Sequence, residues 1–441
     1  MNAMRHMKFA TLFALGVCLL LVSCGGGSAG PAPVVNIAFE SAKGALGIAS
    51  TFSWTSTYAT SCAGQDGLIG VQPLAGSKSV TLNARGQFKY TMVCSGPGGT
   101  TSATAVLQIP LAVLSSSYEN SAAATETLGS QPMAGNAVAF ADFFQDGSYS
   151  MVSHTLEYDP SNLASATSYG RIQFWKQVDG AWQDKTSQLM SDTTGCLHPR
   201  KAIVADFNQS GRPSVLFACH GFDASPYPGE SMHLLLSKAD GTYSHLRLPF
   251  IGYFHSASAA DVNGDGYPDV VVADPLVEGK PYVLLNQQNG SFSKDTTRFH
   301  PAVAGQKIYT AELINFYDPG KYDVFLGGYE QSGNWPAAIL VNDGAGRFPA
   351  GVRLPSVSGF GLPTDIVFKN GYIFLARTID ASTNFYGGAA IQKINFQTSE
   401  SSLIHEHYGA YANGRTWINW IRPHSWNIVS MDQSYGVTVA R

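Results

Sequence analysis

Residues 261–269 read DVNGDGYPD and place oxygen-bearing side chains at alternate positions around Gly266. A short loop wraps a hard cation such as calcium with that spacing, glycine occupying the sharpest part of the turn. Asp261, Asn263 and Asp265 are the candidate side-chain ligands, Tyr267 the candidate carbonyl ligand and Asp269 the closing carboxylate. A helix–loop–helix calcium sensor needs a glutamate at the twelfth position, with helices on both sides. This chain has Val272 there, and the flanks SASAAD and PDVVVAD alternate or run apolar, as strands do. The loop is therefore read as a turn between two strands holding a structural calcium. A metal-free turn closed by Asx-type hydrogen bonds is the competing reading.

A second group of side chains could also do chemistry. It comprises His154, His198, Arg200, His220, Asp223, Glu230, His255 and Asp274. Imidazoles and carboxylates serve as general acids and bases or bind transition metals. No nucleophile elbow, HExxH helix or paired-carboxylate motif accompanies them. Three readings follow: polar loop ends that satisfy backbone groups, a site for a glycan or protein ligand, or a catalytic centre.

The elements that position both groups are strands. Turn glycines recur at Gly147, Gly211, Gly266, Gly320 and Gly371, with a further turn near His424. An apolar strand stands on each side of every turn, as in AIVADFN and SVLFACH or SASAADVN and DVVVAD. Later in the first four units come VDGAW, ADGTY, QNGSF and NDGAGRF, turns of the kind that close hairpins. Four strands per unit, repeated about six times from residue 115 to 441, describe a β-propeller. The last unit has room for three strands, so the segment from Ser116 to Gly129 is expected to add the missing outer one. The start of each first strand and the end of each second strand lie away from the calcium loop, which brings the eight polar residues to one face.

DVNGDGYPD within this register resembles the calcium loops of FG-GAP or VCBS repeats, found in the integrin α-subunit propeller and in exported bacterial proteins. The resemblance implies an all-β, six-bladed (alternatively seven-bladed) propeller. The sister loops depart from the pattern. DFNQSGRPS keeps Asp206 and Asn208 but has Ser210 and Ser214 in place of carboxylates, DFFQDGSYS has Phe144 at the third position, and NFYDPGKYD keeps only its ends. One good calcium site is expected, with a doubtful one at 206–214. Trp335, Trp417 and Trp420 are sugar platforms or blade-packing residues.

Ahead of the repeats, residues 34–110 hold short strands with turn residues between them, and FSWTSTYATSCAG with YTMVCSGPGG resembles bacterial Ig-like modules, implying a small β-sandwich. Residues 1–23 carry Arg5 and Lys8 before an apolar run too short to span a bilayer comfortably, which is the form of a signal peptide. Leu21-Val22-Ser23-Cys24 resembles a bacterial lipobox. It implies lipidation at Cys24, and Gly25 after it favours the outer membrane; the small residues and prolines that follow make 24–33 a tether, and a monomer at the cell envelope is expected. Cys62, Cys94, Cys196 and Cys219 remain for disulfides, and proximity suggests Cys62–Cys94 and Cys196–Cys219. A net charge of −4, a charged fraction of 13% and no basic stripe give nucleic-acid binding little support. The expected function is non-catalytic recognition of a glycan or surface protein with structural calcium. The alternative is a carbohydrate-active enzyme such as a polysaccharide lyase.

Overall fold

A computed structural model describes residues 30–128, 136–159, 161–330, 335–379, 387–408, 420–424, 427–431 and 436–439. Cys24, the leader 1–23, most of the tether and Trp417 lie outside the described residues. The chain divides into two compact units. One contains residues 51–79 and 89–106 and the stretch ending at Glu40; the other contains 41–50, 80–88 and everything from 107 on.

The N-terminal strands form a three-stranded and a four-stranded antiparallel sheet. Phe52, Trp54, Tyr90 and Met92 are buried there, and Phe52 packs on Trp54 and Tyr90. The expected Cys62–Cys94 disulfide joins residues directly opposite on neighbouring strands, with Cα atoms 4.1 Å apart. It therefore staples one sheet and does not bridge two, as the disulfide of an immunoglobulin sandwich does.

Six antiparallel sheets follow in succession. The first holds Ala137–Ala141, Ser150–His154, Ile172–Val178 and Ala181–Asp184. The second holds Pro199–Ala205, Ser214–Cys219, Glu230–Ser237 and Tyr243–Gly252. Ser256–Ala260, Asp269–Ala273, Tyr282–Asn286 and Phe292–Asp295 make the third; Ile308–Ile314, Asp323–Gly328, Ala338–Val341 and Ala350–Arg353 make the fourth. The fifth comprises Leu362–Lys369, Tyr372–Thr378, Gly388–Asn395 and Ser401–Tyr408. Among the described residues the sixth has three strands, Trp420–His424, Asn427–Met431 and Gly436–Val439.

Side chains alternate across a strand, so a sheet packed on both faces must be apolar on both. Val270 and Val272 enter the core shared with the second sheet, while Val271 enters the core shared with the fourth. All three are fully buried, each contributing about 1.5–3 kcal/mol of transfer free energy. Trp335 belongs to the same core as Val271 and so packs between sheets. The first strand of the third sheet, SASAA, is built of small residues where it packs beside the first strands of the second and fourth sheets around a common axis.

That axis holds a helix. Ser117–Leu128 is α-helical, where an outer strand was expected. It packs against the first strands of the first, second, third, fourth and sixth sheets, and Tyr118 bonds the fifth at Phe368. Ser116 starts it with a capping box: its hydroxyl accepts the Glu119 N–H at 3.1 Å, and its own N–H donates to the Glu119 carboxylate at 3.2 Å. Small residues let the helix fit the channel, and polar ones meet polar strand groups. The Ser117 hydroxyl accepts the Ala259 N–H and contacts Ser258, which donates to Glu312, and Glu312 pairs with Lys201.

Candidate functional site

The eight polar residues share the expected face and divide into two groups by what they bond. Three are occupied by backbone. His154 engages the Thr155 carbonyl through Nδ1 and accepts the Cys196 N–H at Nε2, at 2.8 Å each. Glu230 takes the Leu197 N–H with both carboxylate oxygens at 2.8–2.9 Å. Asp274 accepts the N–H groups of Tyr253 and Val277 at 3.1 Å. These side chains set the conformation of the loops that carry the others. Burial pushes Glu230 up to about 7 and raises Asp274 as well.

His198, Arg200, His220, Asp223 and His255 assemble into one cluster. His198 and His220 flank the paired strands of the second sheet; the His220 N–H donates to the His198 carbonyl, and their rings stand 3.8 Å apart. The expected Cys196–Cys219 disulfide ties the two segments together. A register shift between Pro199 and Lys201 puts Arg200 at a bulge, a device that re-aims one side chain. Arg200 donates to Nε2 of His255 at 3.2 Å, and His255 engages the Tyr309 carbonyl through Nδ1. Asp223 lies on the loop after His220, where the Tyr253 hydroxyl donates to it at 2.5 Å.

Sequence reasoning passed over Tyr158, Tyr253 and Tyr309. Tyr158 joins Nδ1 of His198 at 2.5 Å and accepts the Asp223 N–H at 3.1 Å. Tyr253 stacks on His220 with ring centroids 4.2 Å apart, and Tyr309 meets His255 edge-on. Tyr253 and Tyr309 occupy the strand starts that directed attention to His255, so the same rule would have found them. Tyr227, 40% exposed, meets Tyr253 edge-on.

The electrostatics keep the imidazoles neutral. Burial holds His198, His220 and His255 well below the usual histidine range, and the Arg200 charge adds to it for all three. Burial, then the Asp223 carboxylate, hold the protons on Tyr158 and Tyr253 more tightly than usual. The cluster thus offers neutral imidazoles, a carboxylate, a guanidinium and phenols that keep their protons.

The loop at 261–269 sits at the opposite end of the same strands. Gly266 has φ 89°, which a side chain would strain. Asp261 accepts the N–H groups of Gly264, Asp265 and Gly266, and Asp265 accepts that of Tyr267. Asp269 anchors the turn to the third strand by accepting the Asn286 N–H, while Asn286 donates to Phe207 of the preceding sheet. Burial first, then Asp265 and Asp261, push Asp269 up to about 7. Three carboxylates and an amide oxygen crowded within nine residues fit a hard cation, which would relieve that repulsion. In the first sheet the equivalent loop has its own cation, because Lys176 pairs with Asp146. In the second, Asp206 accepts the Ser210 and Gly211 N–H groups and Asn208 is turned onto Ser237.

A family profile described as FG-GAP-like repeat matches residues 261–313, from this loop to the first strand of the fourth sheet. The chain is a β-propeller-like protein with an FG-GAP-like repeat. No curated protein matches it. Among solved structures it is similar to a quinonprotein alcohol dehydrogenase-like protein from Bacteroides thetaiotaomicron, with 10% identity, a TM-score of 0.32, and 86% of this chain and 96% of that one covered. A GH74 xyloglucanase from Xanthomonas campestris matches with 10% identity, a TM-score of 0.38 and coverage of 62% and 41%. An exo-β-1,3-galactanase from Phanerochaete chrysosporium matches with 12% identity, a TM-score of 0.33 and coverage of 52% and 60%. At this level of similarity the functions of those proteins say nothing about this chain.

Proposed function

We propose that this chain is a lipid-anchored binding protein of the bacterial cell envelope. An Ig-like module follows a Cys24 anchor and carries a six-bladed propeller that takes a saccharide or a surface protein on its histidine face. Calcium at Asp261, Asn263, Asp265, Tyr267 and Asp269 is its structural cofactor. The observation that supports recognition is the convergence of Arg200, His198, His220, His255 and Asp223 beside the exposed ring of Tyr227. Rings of this kind stack on sugar faces, while fixed donors and acceptors select hydroxyl and carboxylate groups.

The alternative is a polysaccharide lyase working from the same face. Tyr158 and Tyr253 hold their protons more tightly than usual, so the base of a lyase would be one of the neutral imidazoles. An array of neutral and acidic oligosaccharides, with product analysis, tests the choice. Saturable binding without product, weakened about tenfold or more by Arg200→Ala, is expected. Turnover that His255→Ala abolishes would establish the lyase, and no binding to any saccharide would remove the glycan reading.

A further inference from the structure

We propose that His198, His220 and Asp223 form a second metal site, for a divalent transition metal of the zinc type, separate from the calcium loop. Their ligand atoms lie within 4.8 Å of one another. Tetrahedral zinc with bonds of about 2.0–2.2 Å needs ligands roughly 3.4 Å apart, so closing on an ion takes about an ångström of movement.

Each ligand is already oriented as such sites require. His220 is fully buried and its Nδ1 engages the Gly221 carbonyl at 3.0 Å. A carbonyl only accepts, so the proton is on Nδ1 and Nε2 presents its lone pair. That Nε2 is buried with no hydrogen-bond partner. An unpaired buried nitrogen costs about 1–3 kcal/mol, and a metal ion would satisfy it. His198 coordinates through Nε2 in the tautomer whose Nδ1–H donates to the Tyr158 oxygen, which also accepts the Asp223 N–H. Tyr253 fixes one oxygen of Asp223, and the other is the natural donor. Carbonyl and phenol partners on the far side of each ligand are the outer shell found at metal centres.

The surroundings favour a nitrogen-preferring metal. Two imidazoles and one carboxylate suit zinc, cobalt or nickel better than calcium, which takes oxygen donors. The disulfide and the His220-to-His198 backbone bond hold the two histidines in place without the metal. Both rings are kept neutral, the form that coordinates. The Arg200 charge opposes a cation, but its guanidinium is directed onto His255. Three protein ligands would leave the fourth position of a tetrahedral ion to water or a ligand oxygen.

Another histidine pair is available as a competitor: His245 Nε2 lies 2.9 Å from His233 Nδ1, near Asp192. The decisive experiment titrates the untagged chain, saturated with calcium, first with Co2+ and then with Zn2+. One equivalent of Co2+ should bind with visible d–d absorption, and one equivalent of Zn2+ should displace it. His220→Ala and Asp223→Asn should each weaken binding by about 100-fold or more, since losing even an outer-shell partner costs 10–100-fold. Asp223→Asn keeps the side-chain shape and decides the matter if His220→Ala does not fold. His233→Ala should change nothing. Absence of saturable binding to the folded chain, binding retained in Asp223→Asn, or binding lost in His233→Ala would each overturn the proposal. The metal alone is the probe, so the outcome does not depend on whether the face binds saccharide.

Discussion

Tyr118 and Phe368 are 250 residues apart and exchange two hydrogen bonds. The Tyr118 hydroxyl donates to the Phe368 carbonyl at 3.1 Å and accepts the Phe368 N–H at 2.9 Å. The axial helix thereby satisfies the inner edge of the fifth sheet at Phe368, where the first strand has no strand partner for these two groups. Tyr118→Phe keeps the ring and leaves both backbone groups unpaired. It should lower stability by about 1–3 kcal/mol in equilibrium urea denaturation. An unchanged midpoint would mean that water replaces the hydroxyl and that the helix is held by packing alone.

The helix also shows where sequence reasoning stopped short. SYENSAAATETL has no apolar stripe, because it lies among small inner strands and meets polar groups on several sides. A search for 3.6-residue apolar periodicity passes over such a segment. Ser116 and Glu119 at capping-box spacing were the readable signal. The blades were legible for the opposite reason: alternating or continuous apolar strands between Gly-bearing turns reflect burial on both faces, as at Val270–Val272. The site was half legible. Strand topology placed His198, His220 and His255 on one face, but it could not separate them from His154, which serves the Cys196 backbone. Nor could it reveal the bulge that re-aims Arg200.

A buried ion pair ties the second strand of the fifth sheet to the segment that follows the second strand of the fourth. Arg377 is fully buried and meets both oxygens of Glu330, at 2.8 and 3.2 Å, while Nε donates to Gln392. Removing one partner strands the other charge in a medium that solvates it poorly. Glu330→Ala should therefore cost about 3–5 kcal/mol. The double substitution Glu330→Leu with Arg377→Met, which removes both charges, should cost less than the single one. A double variant less stable than Glu330→Ala would show that the loop depends on the hydrogen bonds themselves and not on charge balance.

The cation loop predicts a stoichiometry. Lys176 fills the position in the first sheet, and serines replace carboxylates in the second, so one calcium per chain is expected at 261–269. Chelation should lower the melting temperature, since a ligand at 100 times its Kd stabilises by about 2.7 kcal/mol. Asp261→Ala or Asp265→Ala should melt near the chelated value and gain nothing from added calcium. A melting curve indifferent to chelator would leave the turn closed by its own hydrogen bonds.

Acid should destabilise the chain through His154. It is fully buried, its ring edge-on to Phe217 at 5.2 Å, and Gly170 and Gly195 crowd it so closely that a Cβ at either would clash. Burial first, then the nearby His245, bring it down to about 4 from the ordinary 6.5. The unfolded chain therefore binds this proton more readily than the folded one. The stabilisation from keeping the ring neutral is complete above pH 6.5 and is lost as pH falls from there towards 4. Its limit is about 3 kcal/mol, at 1.36 kcal/mol per pH unit. His198, His220 and His255 shift in the same direction, so the wild-type loss should be steeper than one group explains. His154→Gln should start less stable at pH 7.5, having lost the bond from the Cys196 N–H. Between pH 6.5 and 4.5 it should then lose less stability than wild type. Urea midpoints measured across that range decide it: parallel pH profiles for the two proteins would show that His154 does not titrate on unfolding as its burial requires.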